Sequence, residues 1–137
     1  MIQHESHIRV RYGETDQMGY LYYGNYAQYY EVGRAELIRS VGITYKSMEV
    51  DHGIMMPVTS MNIRYIRPAL YDELLTIKTS LRHLPDQFIT FHYEIFNEKG
   101  QLVNGATVRL CFMDIITKKR IPTPEYLRKE LNHYFKN

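Results

Sequence analysis

One cysteine, no tryptophan and five prolines stand among the 137 residues. A lone Cys111 cannot close an intramolecular disulfide framework, and its place in the alternating run VRLCFMD marks it as a buried structural thiol. Nowhere do about eighteen apolar residues run together, and the opening MIQHESHIRV has no apolar stretch of signal-peptide length. No membrane span is predicted, and the expected location is the cytoplasm. Charge of one sign is lacking too: 17 Lys and Arg against 15 Asp and Glu leave a formal +2, with the signs interspersed. The longest basic cluster, Lys118-Lys119-Arg120, falls in a late turn, so no cationic stripe marks nucleic acid as a partner. The six histidines lack HxxxH spacing or cysteine neighbours, which predicts no metal site and no cofactor.

What is present is ordinary globular usage, 45% hydrophobic and 23% charged, with thirteen tyrosines. A chain of this size buries roughly two-thirds of its unfolded surface, which leaves little for a second core, so residues 1–137 are read as one domain. His4 to Tyr12 alternates through Ile8, Val10 and Tyr12, predicting a first strand. From Tyr26 the period changes: Tyr26, Tyr29, Tyr30, Gly33, Leu37 and Val41 share one face of a long helix that closes at Gly42. Arg34, Glu36 and Arg39 fall toward its other faces. Gly33 inside the apolar stripe costs about 1 kcal/mol against alanine, so close approach of another backbone is the expected return.

A weaker helical turn is predicted at Tyr45 to Val50, followed by strand patterns in MMPVTSMNIRYIRPAL and ELLTIKTSLRHL and by a hairpin turned at Asn97 to Gly100. Thr123 offers an N-cap, with Pro124 at the first position of a terminal helix through Tyr126, Leu127, Leu131 and Tyr134. The order predicts an α+β domain, one long helix laid across an antiparallel sheet of about five strands. Such a sheet leaves an edge and a face exposed, and oligomerisation is the expected remedy.

Between the first strand and the long helix lies RYGETDQMGYLYYGNY, residues 11–26. The run Tyr12-x-Glu14-Thr15-Asp16-x-x-Gly19-x-x-Tyr22-x-x-Asn25-Tyr26, followed by YYEVGRAELI, Pro57-Val58 and YIRPALYDELL, resembles the hotdog-fold acyl-CoA thioesterases of the 4-hydroxybenzoyl-CoA thioesterase type. The resemblance spans almost the whole chain. It implies a sheet wrapped around a central helix, hydrolysis of an acyl-CoA or acyl-carrier-protein thioester, and a homodimer or homotetramer. It further implies Asp16 as the catalytic carboxylate, base or nucleophile, and the backbone amide of Tyr23 as the group that polarises the thioester carbonyl. Gly19, Tyr22, Asn25 and Tyr26 of the motif, with Arg64 and Arg67, are the substrate-binding candidates. The chemistry agrees: unpaired amides at a helix amino terminus stabilise a developing oxyanion, and an aspartate upstream supplies the base or nucleophile. Gly19 and Gly24 let the backbone turn sharply beside a substrate.

Each residue also has a plainer reading. Asp16 alone would be an Asx-turn residue, Glu14 exposed or paired, and Asn25 a hydrogen-bonding residue of the loop or helix start. At least two of Tyr22, Tyr26, Tyr29 and Tyr30 are read as core. In a related hotdog branch the carboxylate sits on the central helix, which makes Glu31 the rival, although an ion pair with Arg34 or another nearby arginine is its expected role. A hydratase or dehydratase on the same fold needs a histidine with a carboxylate, and no histidine lies in the motif. A non-catalytic acyl-CoA-binding protein would have no need of Asp16. Two departures from the family pattern stand out. Tyr23 occupies a place where many members carry histidine, and the bend His83-Leu84-Pro85-Asp86-Gln87 lacks the basic cluster that some members place on the CoA phosphates. Arg64, Arg67, Arg82 and the Lys118 to Arg120 cluster are the remaining basic candidates.

Overall fold

The computed structural model describes residues 1–135. Strand β1 (Ile2–Arg9) leads through a loop into the central helix α1 (Tyr26–Ser40), and a short helix α2 (Tyr45–His52) follows. Then come β2 (Ile54–Met55), β3 (Val58–Tyr65), β4 (Leu74–Leu81), β5 (Phe88–Phe96), β6 (Leu102–Asp114), β7 (Arg120–Ile121) and the terminal helix α3 (Glu125–Asn132). The longer strands form one antiparallel sheet in the order β1-β4-β5-β6-β3, with β2 and β7 as short additions to β6. This is the α+β arrangement expected from the order of periodicities.

Alternation builds the inner face of the sheet. Leu75, Ile77, Thr79 and Leu81 of β4 and Ile89, Phe91, Tyr93 and Ile95 of β5 are buried toward α1. From α1 they meet Tyr26, Tyr29, Tyr30, Gly33 and Leu37, the stripe read from the sequence, and Gly42 ends the helix region with a φ of +91°. Four departures have physical reasons. Gly33 does approach the sheet closely, but its neighbours are side chains: an added Cβ would stand 2.4 Å from Thr79 Oγ1 and 3.1 Å from Ile77 Cγ2. Arg34 turns inward instead of outward and is buried, packed near the hydroxyls of Tyr93 and Tyr45. Glu31 stays exposed and makes no ion pair with Arg34; the helix pair that forms is Arg39 with Glu36 at 3.5 Å. Thr123 does not cap α3, because its hydroxyl is donated to the carbonyl of Asp86; Pro124 is the capping residue, and Tyr134 lies past the helix end.

The two edges of the sheet differ. β1 is covered on its inner side by α1, whereas no residue of β3 is buried. Tyr65, at the end of β3, leaves the sheet beside the start of α1, which places this open edge next to the loop of residues 11–25.

Candidate active site

The loop is held by Glu14. Its buried carboxylate accepts hydrogen bonds from Arg11 Nε (3.1 Å), Arg11 Nη2 (2.8 Å) and the Tyr29 hydroxyl (2.8 Å). Its carbonyl accepts from the Tyr22 amide (2.9 Å) and from Asn25 Nδ2 (2.8 Å), so one residue ties the 3-10 turn Tyr12–Glu14 to the first turns of the helical region. The Arg11 hydrogen bond, then that of Tyr29, hold the Glu14 carboxyl below its ordinary pKa against the opposing effect of burial. Tyr29 is pushed up by burial and by that same carboxylate. The sequence admits Glu14 as exposed or paired; arginine rather than serine or threonine stands three residues before it, so no capping signal marks it, and its second partner, Tyr29, lies on the helix.

Beyond Glu14 the chain makes a tight turn. The Asp16 amide donates to the Tyr20 carbonyl (2.9 Å), and Asp16 Oδ1 accepts from the amides of Met18 (2.9 Å) and Tyr20 (3.2 Å). Gly19 takes a φ of +77° here, the left-handed conformation its position requires, and its carbonyl accepts from Tyr71 (2.9 Å). The plain Asx-turn reading of Asp16 is therefore correct for one oxygen. Its other oxygen, Oδ2, has no hydrogen-bond partner among the described residues. Gly24 has a different reason from the one expected: its φ is not positive, and the Tyr22 ring lies where a side chain would start, 2.8 Å from the Cβ position.

A 3-10 turn, Tyr23–Asn25, precedes α1 directly. Tyr23 opens it, and its amide makes no backbone hydrogen bond among the described residues, as the first donors of a helical segment do not. Asp16, Met18 and Tyr20 from the turn, Tyr23 and Tyr26 from the helix start, and residues 65–68 after β3 line one cleft of about 320 Å³. Its walls are aromatic: the Tyr65 ring meets Tyr26 edge-on at 5.5 Å and Tyr23 edge-on at 6.4 Å. Burial, then Tyr65, push the Tyr26 hydroxyl up to about 12, so it is a neutral donor at physiological pH.

The structure thus brings Asp16, Tyr23, Tyr26 and Arg67 to a common cleft, with Gly19, Tyr22 and Asn25 in its frame. It does not bring Arg64 there. Arg64 and Tyr65 are successive strand residues and point to opposite faces of the sheet, so the arginine lines a separate concavity on the outer face. Glu31, the rival carboxylate, lines a third concavity between β1 and α1.

Known proteins are similar to this chain in sequence and in fold. The model of the thioesterase superfamily matches residues 18–104. YneP of Bacillus subtilis is 40% identical over 100 residues, 73% of this chain and 72% of that protein. The acyl-CoA thioester hydrolase YbgC of Escherichia coli O157:H7 is 28% identical over 123 residues, 90% of this chain and 91% of its own. Among solved structures, a DHNA-CoA thioesterase from Staphylococcus aureus superposes with a TM-score of 0.87 at 35% identity, covering 100% of this chain and 97% of that one. With its single central helix, its antiparallel sheet and a family match over most of its length, the chain belongs to the thioesterase superfamily and has the hotdog fold.

Proposed function

We propose that the protein hydrolyses acyl-CoA thioesters, with Asp16 as base or nucleophile and the Tyr23 amide as oxyanion donor. The observation that carries this reading is that a carboxylate with one free oxygen and a helix-start amide without an acceptor belong to residues lining the same aromatic cleft. Thioester hydrolysis needs charge stabilised on the carbonyl oxygen and a base or nucleophile on the other side of the carbonyl carbon. A thioester carbonyl oxygen directed at the Tyr23 amide places its carbon within the cleft, where Asp16 Oδ2 either attacks it or takes a proton from an attacking water. Oδ1 stays engaged with Met18 and Tyr20, so the carboxylate is oriented before substrate arrives. Met18, Tyr20, Tyr23, Tyr26 and Tyr65 form the apolar and aromatic wall for an acyl group, and Gly19, Tyr22 and Asn25 hold the loop around it. Arg67, at the cleft, is the cation available to a CoA phosphate.

The reading includes a homo-oligomer, a dimer or a tetramer, in which a second copy covers β3. Its support is the exposure of Met61 and Tyr65 on that edge and of Met18, Tyr23 and Ile66 around the cleft. A thioester on an acyl carrier protein presents the same pantetheine arm and is a second substrate form. No helix among the described residues is long and apolar enough to cross a membrane.

Free-thiol release from short, medium, long-chain and aryl acyl-CoAs, for the wild type and Asp16→Asn side by side, tests the proposal. Asparagine keeps the Oδ1 acceptor that the Met18 and Tyr20 amides need, so the loop stays folded, and replaces Oδ2 with an NH2 group that is neither base nor nucleophile. Turnover is expected to fall by about 10² or more with little change in KM. Unchanged turnover in the folded variant takes Asp16 out of the mechanism.

A further inference from the structure

The outer face of the sheet, turned away from α1, carries a second concavity of about 310 Å³. Its floor is one registered row across three ladders: Ser80 of β4 stands opposite His92 of β5, His92 opposite Thr107 of β6, and Thr107 opposite Asn62 of β3. Alternation sends this row outward, because its neighbours Thr79, Leu81, Phe91, Tyr93 and Val108 are buried on the inner face. His92 Nδ1 and Thr107 Oγ1 are 3.3 Å apart, which fixes the ring within the row.

Two arginines rise beside this floor. Arg82 follows β4 directly, and Arg64 sits one outward position beyond Asn62, with Nη2 2.9 Å from where a Cβ on Gly105 would be. A side chain at 105 would displace that guanidinium, so glycine there is what lets it lie flat on the sheet. Among the described residues neither guanidinium has a carboxylate within 4.0 Å or a side-chain hydrogen bond, and Glu94 is the single acid lining the concavity. Two arginines without a carboxylate partner among the described residues thus border one concavity with an imidazole, two hydroxyls and an amide. Burial first, then Arg82 and His83, hold the His92 imidazole below its ordinary pKa, so a positive field reaches the floor.

We infer that this outer-face concavity is an anion site for a phosphate-bearing ligand, held by Arg64 and Arg82 with Ser80, Thr107 and Asn62 as hydrogen-bonding partners. The guanidinium fork matches phosphoryl oxygens two at a time, and hydroxyl and amide groups supply the remaining donors. The site is separate from the thioester cleft, since Arg64 and Tyr65 face opposite sides of the sheet. It holds whether or not Asp16 is the catalytic group. The ligand is either a free phosphate or nucleotide, or the phosphate-bearing end of a CoA; both offer the same chemistry.

Pyrophosphate is the probe. Calorimetry on the intact protein is expected to give one site per chain, and NMR titration of His92 is expected to show its pKa rising when the dianion is bound, because the arginine charges are then offset. Arg64→Gln with Arg82→Gln is expected to weaken binding at least about tenfold and to abolish the His92 response, whereas Arg39→Gln on α1 leaves both unchanged. Displacement of pyrophosphate by CoA, together with a raised KM and unaltered kcat in the double variant, identifies the CoA phosphates as the occupant. Binding that leaves thioester hydrolysis untouched identifies a free phosphate or nucleotide. No pyrophosphate binding at millimolar concentration, or binding indifferent to the two arginines, overturns the inference.

Discussion

Two neighbouring acids in the loop have opposite duties. Asp16 keeps an oxygen free, whereas Glu14 spends both of its oxygens and its carbonyl on Arg11, Tyr29, Tyr22 and Asn25. Glutamine at position 14 keeps an acceptor for the Tyr29 hydroxyl but loses the ion pair, and Glu14→Gln is expected to cost about 1.5–3 kcal/mol at neutral pH, the usual range for a charged hydrogen bond. The sign with pH is set by the lowered carboxyl. Its folded pKa lies below the ordinary 4.5, so the stabilisation is full above that value and is lost as pH falls through the folded pKa. Denaturant titrations of wild type and variant at several pH values should therefore converge in acid; a gap that persists to the lowest pH would separate the effect from ionisation. Asp16 was singled out in the sequence through a family resemblance that rests on its spacing to Gly19, Tyr22 and Asn25, and its catalytic role is a proposal. Glu14 was not, because Tyr29 lies 15 residues away and meets it only once the loop has folded onto α1.

At the scale of one element, α1 is fitted to the sheet by the absence of a side chain. Alanine at position 33 would gain about 1 kcal/mol of helix propensity and would set a methyl 2.4 Å from Thr79 Oγ1, 3.1 Å from Ile77 Cγ2 and 3.2 Å from the Tyr93 ring. Thr79 is fully buried, so the contact cannot be relieved by turning toward solvent. Gly33→Ala is expected to be destabilising by roughly 1–3 kcal/mol, the cost of overpacking, despite its better propensity. Thr79→Ala removes the nearest atom, a hydroxyl without a hydrogen-bond partner, and should recover part of that loss in a double-mutant cycle. Strict additivity of the two variants would place the strain elsewhere. The apolar stripe of α1 was readable from its period, and so was the demand for closeness at Gly33. Arg34 was not readable, because periodicity treats arginine as a solvent-facing residue, while Tyr45 and Tyr93, which receive it, come from α2 and β5. The same limit applies to Thr123, whose hydroxyl is taken by Asp86, 37 residues earlier in the chain.

For the whole molecule the unequal edges of the sheet bear on the proposed assembly of copies. β3 exposes a row of unpaired backbone groups on its free side, and Met61 and Tyr65 stand on its inner face at 37% and 53% exposure, continuous with the cleft at Tyr65. A lone chain would leave this a template for pairing with another strand, and natural edges are normally shielded by charge or proline. Among the eight residues of β3 the only charged one is Arg64, which points to the other face. A second copy on this edge would both cover the apolar row and wall the open side of the cleft. Met61→Glu discriminates this arrangement from others, because a glutamate on an exposed edge of a single chain costs little, whereas one buried in a seam between copies carries an unpaired charge. Light scattering is expected to show an oligomer for the wild type and a shift toward the single-chain mass for the variant, with thiol release falling in proportion to the oligomer lost. A variant that keeps both the mass and the activity of the wild type would move the seam away from β3, and a wild type already at single-chain mass would mean that one chain completes the cleft alone.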